Sequence, residues 1–183
     1  MHEEIIFAGF GGQGVLFAGQ LLAYTALAEG RHVTWIPSYG PEMRGGTANC
    51  TVVISDEPIG SPVCLHPSIA AVFNNPSLEK YEPLVRPGGL LVINASLVAS
   101  TATRDDLDIV LVPATDQATD LGDVRTTNMV LLGALLARRP LVALESIDAV
   151  LRDKLGPRKA HLHAINMRAL QQGLALSQQQ TAV

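Results

Sequence analysis

The feature that most restricts the fold is the segment from Glu4 to Gly30, where an apolar run leads into a glycine-rich turn and then a Leu- and Ala-rich stretch. The consecutive apolar residues Ile5 to Phe7 are typical of a strand buried on both faces of a parallel sheet. The stretch from Gln13 to Glu29 predicts a helix, and Gly30 suits its C-terminal end. A strand, a tight turn and a helix in this order predict the first half of a β–α–β crossover.

The rest of the chain alternates in the same way. Further strands are predicted at 32–36, 47–55, 69–73, 90–94 and 109–112, and further helices at 76–84, 115–121, 126–138, 145–155 and 159–174. This alternation favours the α/β class, as a single-domain, doubly wound, mostly parallel Rossmann-like sheet with C-terminal helices. One domain over residues 1–176 fits a chain of 183 residues, and residues 177–183 are predicted to fray.

The turn GFGGQG has the spacing of a dinucleotide-binding fingerprint, with Gly9, Gly11 and Gly14 at the three glycine positions. Free N–H groups at a helix start favour an anion. The fingerprint also needs an Asp or Glu at the end of the second strand, and the sequence Trp35-Ile36-Pro37-Ser38 provides neither that acid nor an arginine. NAD or FAD bound in the usual way is therefore disfavoured. Either the glycines allow close strand–helix packing, or the turn receives another phosphate-bearing ligand or a partner's loop.

A second loop, SYGPEMRGG, follows the second predicted strand, and residues 37–46 are predicted to lack regular structure. Its unusual residues are an aromatic ring, an acid–base pair and two glycines: Tyr39, Glu42, Arg44, Gly45 and Gly46. A surface turn with a local ion pair would account for them. In a doubly wound sheet, however, loops at the carboxyl ends of neighbouring strands converge on one crevice. We therefore expect this loop and the glycine turn to form one rim.

Composition restricts the function classes. A net charge of −4 without a basic run gives no nucleic-acid surface. The two cysteines, Cys50 and Cys64, cannot supply the four thiolates of a [4Fe–4S] cluster and are predicted to fill the core. His161 and His163 face different directions on a predicted helix, so no metal site is expected. Without a signal peptide or an apolar run of about 18 residues, the chain is expected in the cytoplasm and off the membrane.

Two features suggest that other chains cover part of the surface. Charged residues make up 16% of the chain and hydrophobic residues 48%, which is little charge for a free-standing monomer. The helix predicted at 126–138 is apolar nearly all round, so it belongs either in the domain core or against another chain. We expect a homodimer when partners are absent. At the start of this helix, Thr126, Thr127 and Asn128 predict side-chain capping.

Three segments, taken in order, carry a family resemblance: GFGGQG, SYGPEMRGG followed by TANCTVVISD, and VPATD with LGDVRTTNMVLLGALL. They resemble the gamma subunit of 2-oxoacid:ferredoxin oxidoreductases, and the resemblance extends from Glu4 to about Gly173. The SYGPEMRGG loop is similar to that of the 2-oxoglutarate and branched-chain types, and differs from the indolepyruvate type. The resemblance implies a subunit of an enzyme that oxidises a 2-oxo acid to acyl-CoA.

The resemblance also implies how cofactors are divided among subunits. Thiamine diphosphate, Mg²⁺ and [4Fe–4S] clusters would lie on alpha, beta and ferredoxin-like partner subunits, and ferredoxin would accept the electrons. Asn74-Asn75 is present here, but the Gly-Asp-Gly that precedes such a pair in a thiamine site is not. The isolated chain is therefore expected to bind no cofactor by itself, to contribute no catalytic residue and to be inactive.

The same resemblance points to a coenzyme A site at the interface between this chain and its partners. The residues implied are those of the glycine turn, namely Gly11, Gly12, Gln13 and Gly14. Contacts to CoA or to another subunit are implied for the second loop, at Tyr39, Glu42, Arg44, Gly45 and Gly46. The alternative function is a stand-alone nucleotide-binding module or a small dehydrogenase, which the missing acid after the second strand disfavours.

Overall fold

The computed structural model describes residues 1–38 and 47–180, and within them six strands form one sheet flanked by six α-helices. The strands are β1 His2–Phe10, β2 His32–Ser38, β3 Thr47–Ser55, β4 Ile69–Val72, β5 Leu90–Asn94 and β6 Asp108–Val112. The helices are α1 Val15–Ala28, α2 Asn75–Tyr81, α3 Ala114–Asp120, α4 Thr127–Arg138, α5 Leu144–Lys159 and α6 His163–Gln180. Short 3₁₀ turns at Glu82–Leu84, Val124–Thr126 and Ala160–Leu162 connect them.

The strand order is β2-β3-β1-β4-β5-β6. Strands β1, β4, β5 and β6 pair in parallel, and β3 is antiparallel to both of its neighbours, so β2 shares the direction of β1. The predicted mostly parallel sheet with C-terminal helices is confirmed. The expectation that β1 and β2 are neighbours is wrong, because β3 returns between them in antiparallel register. Period-2 patterning fixes which face a strand residue covers, not which strand lies beside it.

The two faces of β1 explain its apolar run. Ile5 and Phe7 belong to the core beneath α1 and α4, and Ile6 and Ala8 belong to a second core beneath α2. All four side chains are at most 5% exposed. The sheet is thus covered on both faces, which is why its strands read as continuous hydrophobic runs.

Helix α4 lies inside the domain. Its residues Thr127 to Leu136 are all buried, against the sheet and α6. Gly133 and Gly173 permit this contact, since a Cβ on either would overlap a backbone carbonyl oxygen of the facing helix, that of Leu170 or Val130. The apolar surface of α4 is therefore satisfied within its own chain, and it no longer supports a homodimer.

Several boundaries differ from those predicted. Gly30, with φ of 82°, ends α1 as expected, but Pro37 and Ser38 belong to β2 and not to a loop. The tail predicted to fray from residue 177 instead continues α6 to Gln180, whose side chain bonds the backbone of Leu111 on the edge strand β6; residues 181–183 lie outside the described part. Within the described residues, no helix is long and apolar enough to cross a membrane.

Candidate functional site

The carboxyl ends of β1 and β2 lie at the same edge of the sheet, on either side of the start of β3. Phe10 pairs with Thr47, and Ser38 pairs with Asn49 two residues further along β3. The glycine turn extends from this edge. The five second-loop candidates, Tyr39, Glu42, Arg44, Gly45 and Gly46, fall outside the described residues. Of the two loops expected to form the rim, the described residues therefore include the glycine turn.

The turn also lies at the point where the chain changes direction across the sheet. After β1 the chain continues through α1 on one face, and after the adjacent strand β4 it continues through α2 on the opposite face. The crevice between such strands is where ligands bind in open α/β sheets. Asn74, on the β4 side, is 3% exposed, and its Oδ1 accepts a hydrogen bond from the Ser77 N–H at 2.9 Å as the N-cap of α2. The Asn74-Asn75 pair therefore begins a helix.

Different glycines of the turn are needed for different reasons. Gly9 is buried, and a Cβ there would lie 2.7 Å from Phe73 Cβ and 2.9 Å from Val15 Cγ2, so Gly9 allows close strand–helix packing. Gly11 and Gly12 are exposed, and Gly12 has open space around its Cβ position. Gly12 adopts φ of 95°, so a valine there would strain the backbone as well as crowd a ligand. Packing thus requires a glycine at position 9, and the exposed backbone of the turn lies at positions 11 and 12.

Gln13 holds the turn together. Its Oε1 accepts a hydrogen bond from the Phe10 N–H at 2.6 Å, while its own N–H donates to the Phe10 carbonyl oxygen at 3.2 Å. The side-chain carbonyl oxygen therefore lies over Gly9 and shapes the turn. Contact between Gln13 and a ligand stays a prediction.

Among the described residues, no side chain caps the first turn of α1, which leaves its backbone N–H groups open. Gly14, with φ of 74°, occupies the N-cap position without a side-chain hydrogen bond, and no acidic residue lies in the first turn. An adjacent cleft of about 310 Å³ is lined by glycine backbone and apolar side chains: Phe10, Gly11, Gly12, Gly14, Val15, Leu16, Phe17 and Ala48. The helix start favours an anionic group. The walls suit an apolar segment attached to it.

Asn128, at the start of α4, reaches the turn from the helix beside α1 on the same face of the sheet. The predicted capping of α4 is found in part: the Asn128 Oδ1 accepts a hydrogen bond from the Met129 N–H in the first turn at 2.9 Å. Thr126 at the N-cap makes no side-chain cap bond, and the hydroxyls of Thr126 and Thr127 donate to carbonyl oxygens three residues earlier. The Asn128 Nδ2 donates to the Gly14 carbonyl oxygen at 3.1 Å. No local pattern predicts this bond, because 114 residues separate the two partners.

The surroundings of the two cysteines raise the pKa of both thiols. Burial raises the pKa of the Cys50 thiol to about 12, and its sulfur packs beneath Gly19. Burial, with the Glu4 carboxylate, raises the pKa of the Cys64 thiol to about 12 as well. Cys50 lies in the core beneath α1 and α4, and the partly buried Cys64 packs against the second core on the other face of the sheet. A thiol that stays protonated at neutral pH is a poor nucleophile or metal ligand.

Another cleft lies at the interruption of α5. Gly156, with φ of 59° and ψ of −178°, breaks this helix, and the cleft of about 440 Å³ beside it is bordered by Arg152 and His163. Asp148 connects these two side chains, at 2.9 Å from each. Helix α5 packs against the C-terminal half of α1, away from the glycine turn. This cleft is therefore separate from the sheet edge.

Comparison of sequences places these features in one group of proteins. The family model for pyruvate ferredoxin/flavodoxin oxidoreductase matches residues 4–176. The ketoisovalerate oxidoreductase subunit VorA of Methanothermobacter marburgensis is 45% identical over 134 residues, which are 73% of this chain and 28% of that protein. The 2-oxoglutarate synthase subunit KorC of Methanocaldococcus jannaschii is 34% identical over 161 residues, covering 85% of this chain and 84% of that protein.

Comparison of structures agrees. The gamma subunit of a keto/oxoacid ferredoxin oxidoreductase from Geobacter sulfurreducens has a TM-score of 0.82 at 27% identity, over 97% of this chain and 99% of that one. The 2-oxoglutarate:ferredoxin oxidoreductase of Magnetococcus marinus, solved with 2-oxoglutarate, coenzyme A and succinyl-CoA, shares the fold, with a TM-score of 0.88 at 24% identity, over 97% of this chain and 31% of that one. This chain spans only 28% of the length of the VorA relative, yet it matches the family model almost throughout. The chain belongs to the pyruvate ferredoxin/flavodoxin oxidoreductase family.

Proposed function

We propose that this chain is the gamma subunit of a multi-subunit 2-oxoacid:ferredoxin oxidoreductase. The reaction converts a 2-oxo acid, coenzyme A and two oxidised ferredoxins to acyl-CoA, CO₂, a proton and two reduced ferredoxins. The observation that carries the proposal is the unbroken family match over residues 4–176. Full-length similarity to a Geobacter gamma subunit supports it. Its partners would be alpha, beta and ferredoxin-like subunits.

The described residues of this chain do not fit the thiamine diphosphate, Mg²⁺ and iron–sulfur clusters of such an enzyme. Asn74 is committed to capping α2, and the two cysteine thiols have pKa values raised to about 12. Thiamine diphosphate, Mg²⁺ and [4Fe–4S] clusters therefore belong on the partner subunits in this proposal. The chain contributes a binding surface and no catalytic residue.

The glycine turn does fit one part of coenzyme A. The open N–H groups at the start of α1 suit the pyrophosphate, and the apolar cleft beside Phe10 and Phe17 suits a less polar segment. When bound, coenzyme A supplies the thiol that accepts the acyl group. Gly11, Gly12 and Gly14 would let the backbone approach the phosphates, and Gln13 would hold the turn in shape.

The second loop completes the proposed site. Arg44 would add a planar guanidinium for a phosphate or for a partner's carboxylate. Tyr39, Glu42, Gly45 and Gly46 are proposed as CoA or subunit contacts, because β2 ends at the same sheet edge as β1. A dehydrogenase is disfavoured, since β2 ends in Pro37 and Ser38 without the acid that would bind a ribose.

We further propose that the substrate is 2-oxoglutarate or a branched-chain 2-oxo acid. The SYGPEMRGG loop resembles both of these types, and the relatives include a 2-oxoglutarate synthase subunit and a ketoisovalerate oxidoreductase subunit. The cytoplasm remains the proposed location. A homodimer in the absence of partners is supported by the low charged fraction of 16% and by exposed apolar side chains such as Leu27 and Leu65.

The test is co-expression of this chain, tagged, with the candidate subunits encoded beside it. We expect the tag to retain a thiamine-binding and a ferredoxin-like subunit, and the complex to oxidise 2-oxoglutarate or 2-oxoisovalerate only when coenzyme A and an electron acceptor are present. The chain alone should be colourless and inactive. An iron–sulfur absorbance band, or oxidation of a 2-oxo acid by the chain alone, would contradict the proposal. NAD reduction without partners would favour the dehydrogenase.

The coenzyme A site is tested in the same complex with Arg44→Ala. We expect a raised KM for coenzyme A or weakened retention of the partner subunits. The matched control is Arg125→Ala, because the Arg125 side chain is 74% exposed and forms an ion pair with the nearby Asp123. Equal effects of the two substitutions would remove Arg44 from the proposed site.

A further inference from the structure

Asn128 makes a hydrogen bond that the helix it reaches does not need. The Gly14 carbonyl oxygen already accepts the first helical bond of α1, from the Ala18 N–H at 3.0 Å. The Asn128 Nδ2 is therefore a second donor to the same oxygen, at 3.1 Å. Its Oδ1 accepts from the Met129 N–H at 2.9 Å, which fixes the orientation of the amide. The bond connects the start of α4 to the start of α1.

The contact is close on both sides. Asn128 is 4% exposed, and a Cβ on Gly14 would lie 2.6 Å from its Nδ2. A glycine at position 14 thus leaves room for the Asn128 amide and also permits the positive φ of the turn. Helix α4 is a firm support, because α6 packs directly against its backbone at Gly133. By contrast, the bonds that Gln13 makes to described residues lie within the turn itself.

We propose that Asn128 is a positioning residue for the coenzyme A site: it holds the first turn of α1, and so its open N–H groups, in the orientation that receives the ligand's phosphates. Asn128 is not among the residues that line the cleft, so it acts through Gly14. The inference rests on the proposed function, since it concerns the same ligand at the same turn.

The test uses Asn128→Asp in the assembled complex. This substitution keeps the side-chain shape and replaces the donor with an acceptor that faces the Gly14 carbonyl oxygen. The matched control is Asn94→Asp at the end of β5: Asn94 is 0% exposed, and its Nδ2 donates to Thr115 Oγ1 at 2.9 Å. It lies at the same sheet edge without touching the glycine turn.

With a saturating 2-oxo acid and varied coenzyme A, we expect N128D to raise the KM for coenzyme A by about five- to tenfold, the equivalent of one lost hydrogen bond. The kcat and the KM for the 2-oxo acid should stay unchanged, and N94D should change none of the three. As the pH falls, the introduced carboxyl group regains a proton and can donate to Gly14 again. The KM of N128D for coenzyme A, divided by the KM of the wild type, should therefore decrease towards one as the pH falls.

A second measurement is independent of the reaction. In the isolated chain, N128D should accelerate hydrogen exchange of the Ala18 amide, which donates to the Gly14 carbonyl oxygen, and N94D should not. If N128D fails to assemble, Asn128→Ser removes the long donor without adding a charge and serves for the same kinetic and exchange measurements.

Three results would overturn the inference: an equal rise in the KM for coenzyme A in both variants, a loss of kcat in N128D with an unchanged KM, or unaltered hydrogen exchange of the Ala18 amide. A wild-type complex that oxidises 2-oxo acids without requiring coenzyme A would instead contradict the proposed function, whatever the exchange data show for Asn128.

Discussion

The contact between α4 and α6 predicts a large effect from a single methyl group. In Gly173→Ala, the added Cβ would overlap the Val130 carbonyl oxygen and lie 2.8 Å from the Val130 carbonyl carbon and 3.0 Å from the Ala134 nitrogen. All three atoms belong to the backbone of α4. A rotamer change therefore cannot relieve the overlap, and α6 must move away from α4.

The expected magnitude is the difference between two effects. Alanine stabilises a helix interior by about 1 kcal/mol relative to glycine. Overpacking costs about 1–3 kcal/mol and more where backbone has to shift. Because separating the helices also weakens dispersion contacts along both of them, the upper end applies here. We expect Gly173→Ala to lower the free energy of unfolding by about 2 kcal/mol, which for a chain of this length lowers the Tm by about 4–8 °C.

The assay is thermal unfolding of the isolated chain, followed by circular dichroism. Gly60→Ala is the control, because Gly60 has open space around it and is not among the glycines with positive φ. It should stay within about 0.5 kcal/mol of the wild type. The double variant of Gly133 and Gly173 should lose less than the sum of the single losses, since one displacement relieves both overlaps. An unchanged or raised Tm for Gly173→Ala would refute this description of the contact.

Three further predictions concern the turn and two titrating groups. Gly14→Ala should lower the free energy of unfolding by about 2 kcal/mol or more in urea denaturation, because it combines a left-handed φ with a clash, whereas Gly12→Ala should cost only about 1–2 kcal/mol for its φ. A thiol reagent at neutral pH should leave Cys50 unmodified in the folded chain and label it in denaturant, since burial raises its pKa to about 12. The Arg152 side chain lowers the pKa of Asp148 below its ordinary 3.8. The Tm of the wild type should therefore exceed that of Asp148→Asn by its full amount above pH 3.8, and the excess should disappear as the pH falls through the lower folded-state pKa.

The start of the chain could be predicted because its signals are local. An apolar run, a glycine turn and a Leu- and Ala-rich stretch each restrict only their own backbone, and β1 and α1 form where expected. Helix α4 also begins within one residue of its predicted start. Its apolar sequence does not distinguish a helix buried in the domain core from one packed against another chain. The deciding residue, Gly173, lies on a different helix.

The position of β3 could not be predicted for a related reason. The patterning of residues 47–55 identifies a strand, but pairing with β1 and β2 depends on contacts between distant segments. The same applies to Asn128, whose sequence neighbours favour a cap while its partner, Gly14, is 114 residues away. Local patterns thus predict elements, and long-range contacts decide what those elements do.

The glycine turn shows why fingerprint spacing alone does not identify a dinucleotide site. Gly9 is required by the packing of Phe73 and Val15 against it, and Gly14 by the approach of Asn128. Two of the three fingerprint glycines would therefore be needed in this fold even without a ligand. Gly11 and Gly12 of the same turn are exposed to solvent. A fold can thus keep the spacing of a dinucleotide turn for packing reasons while β2 ends without the acid that would bind the ribose.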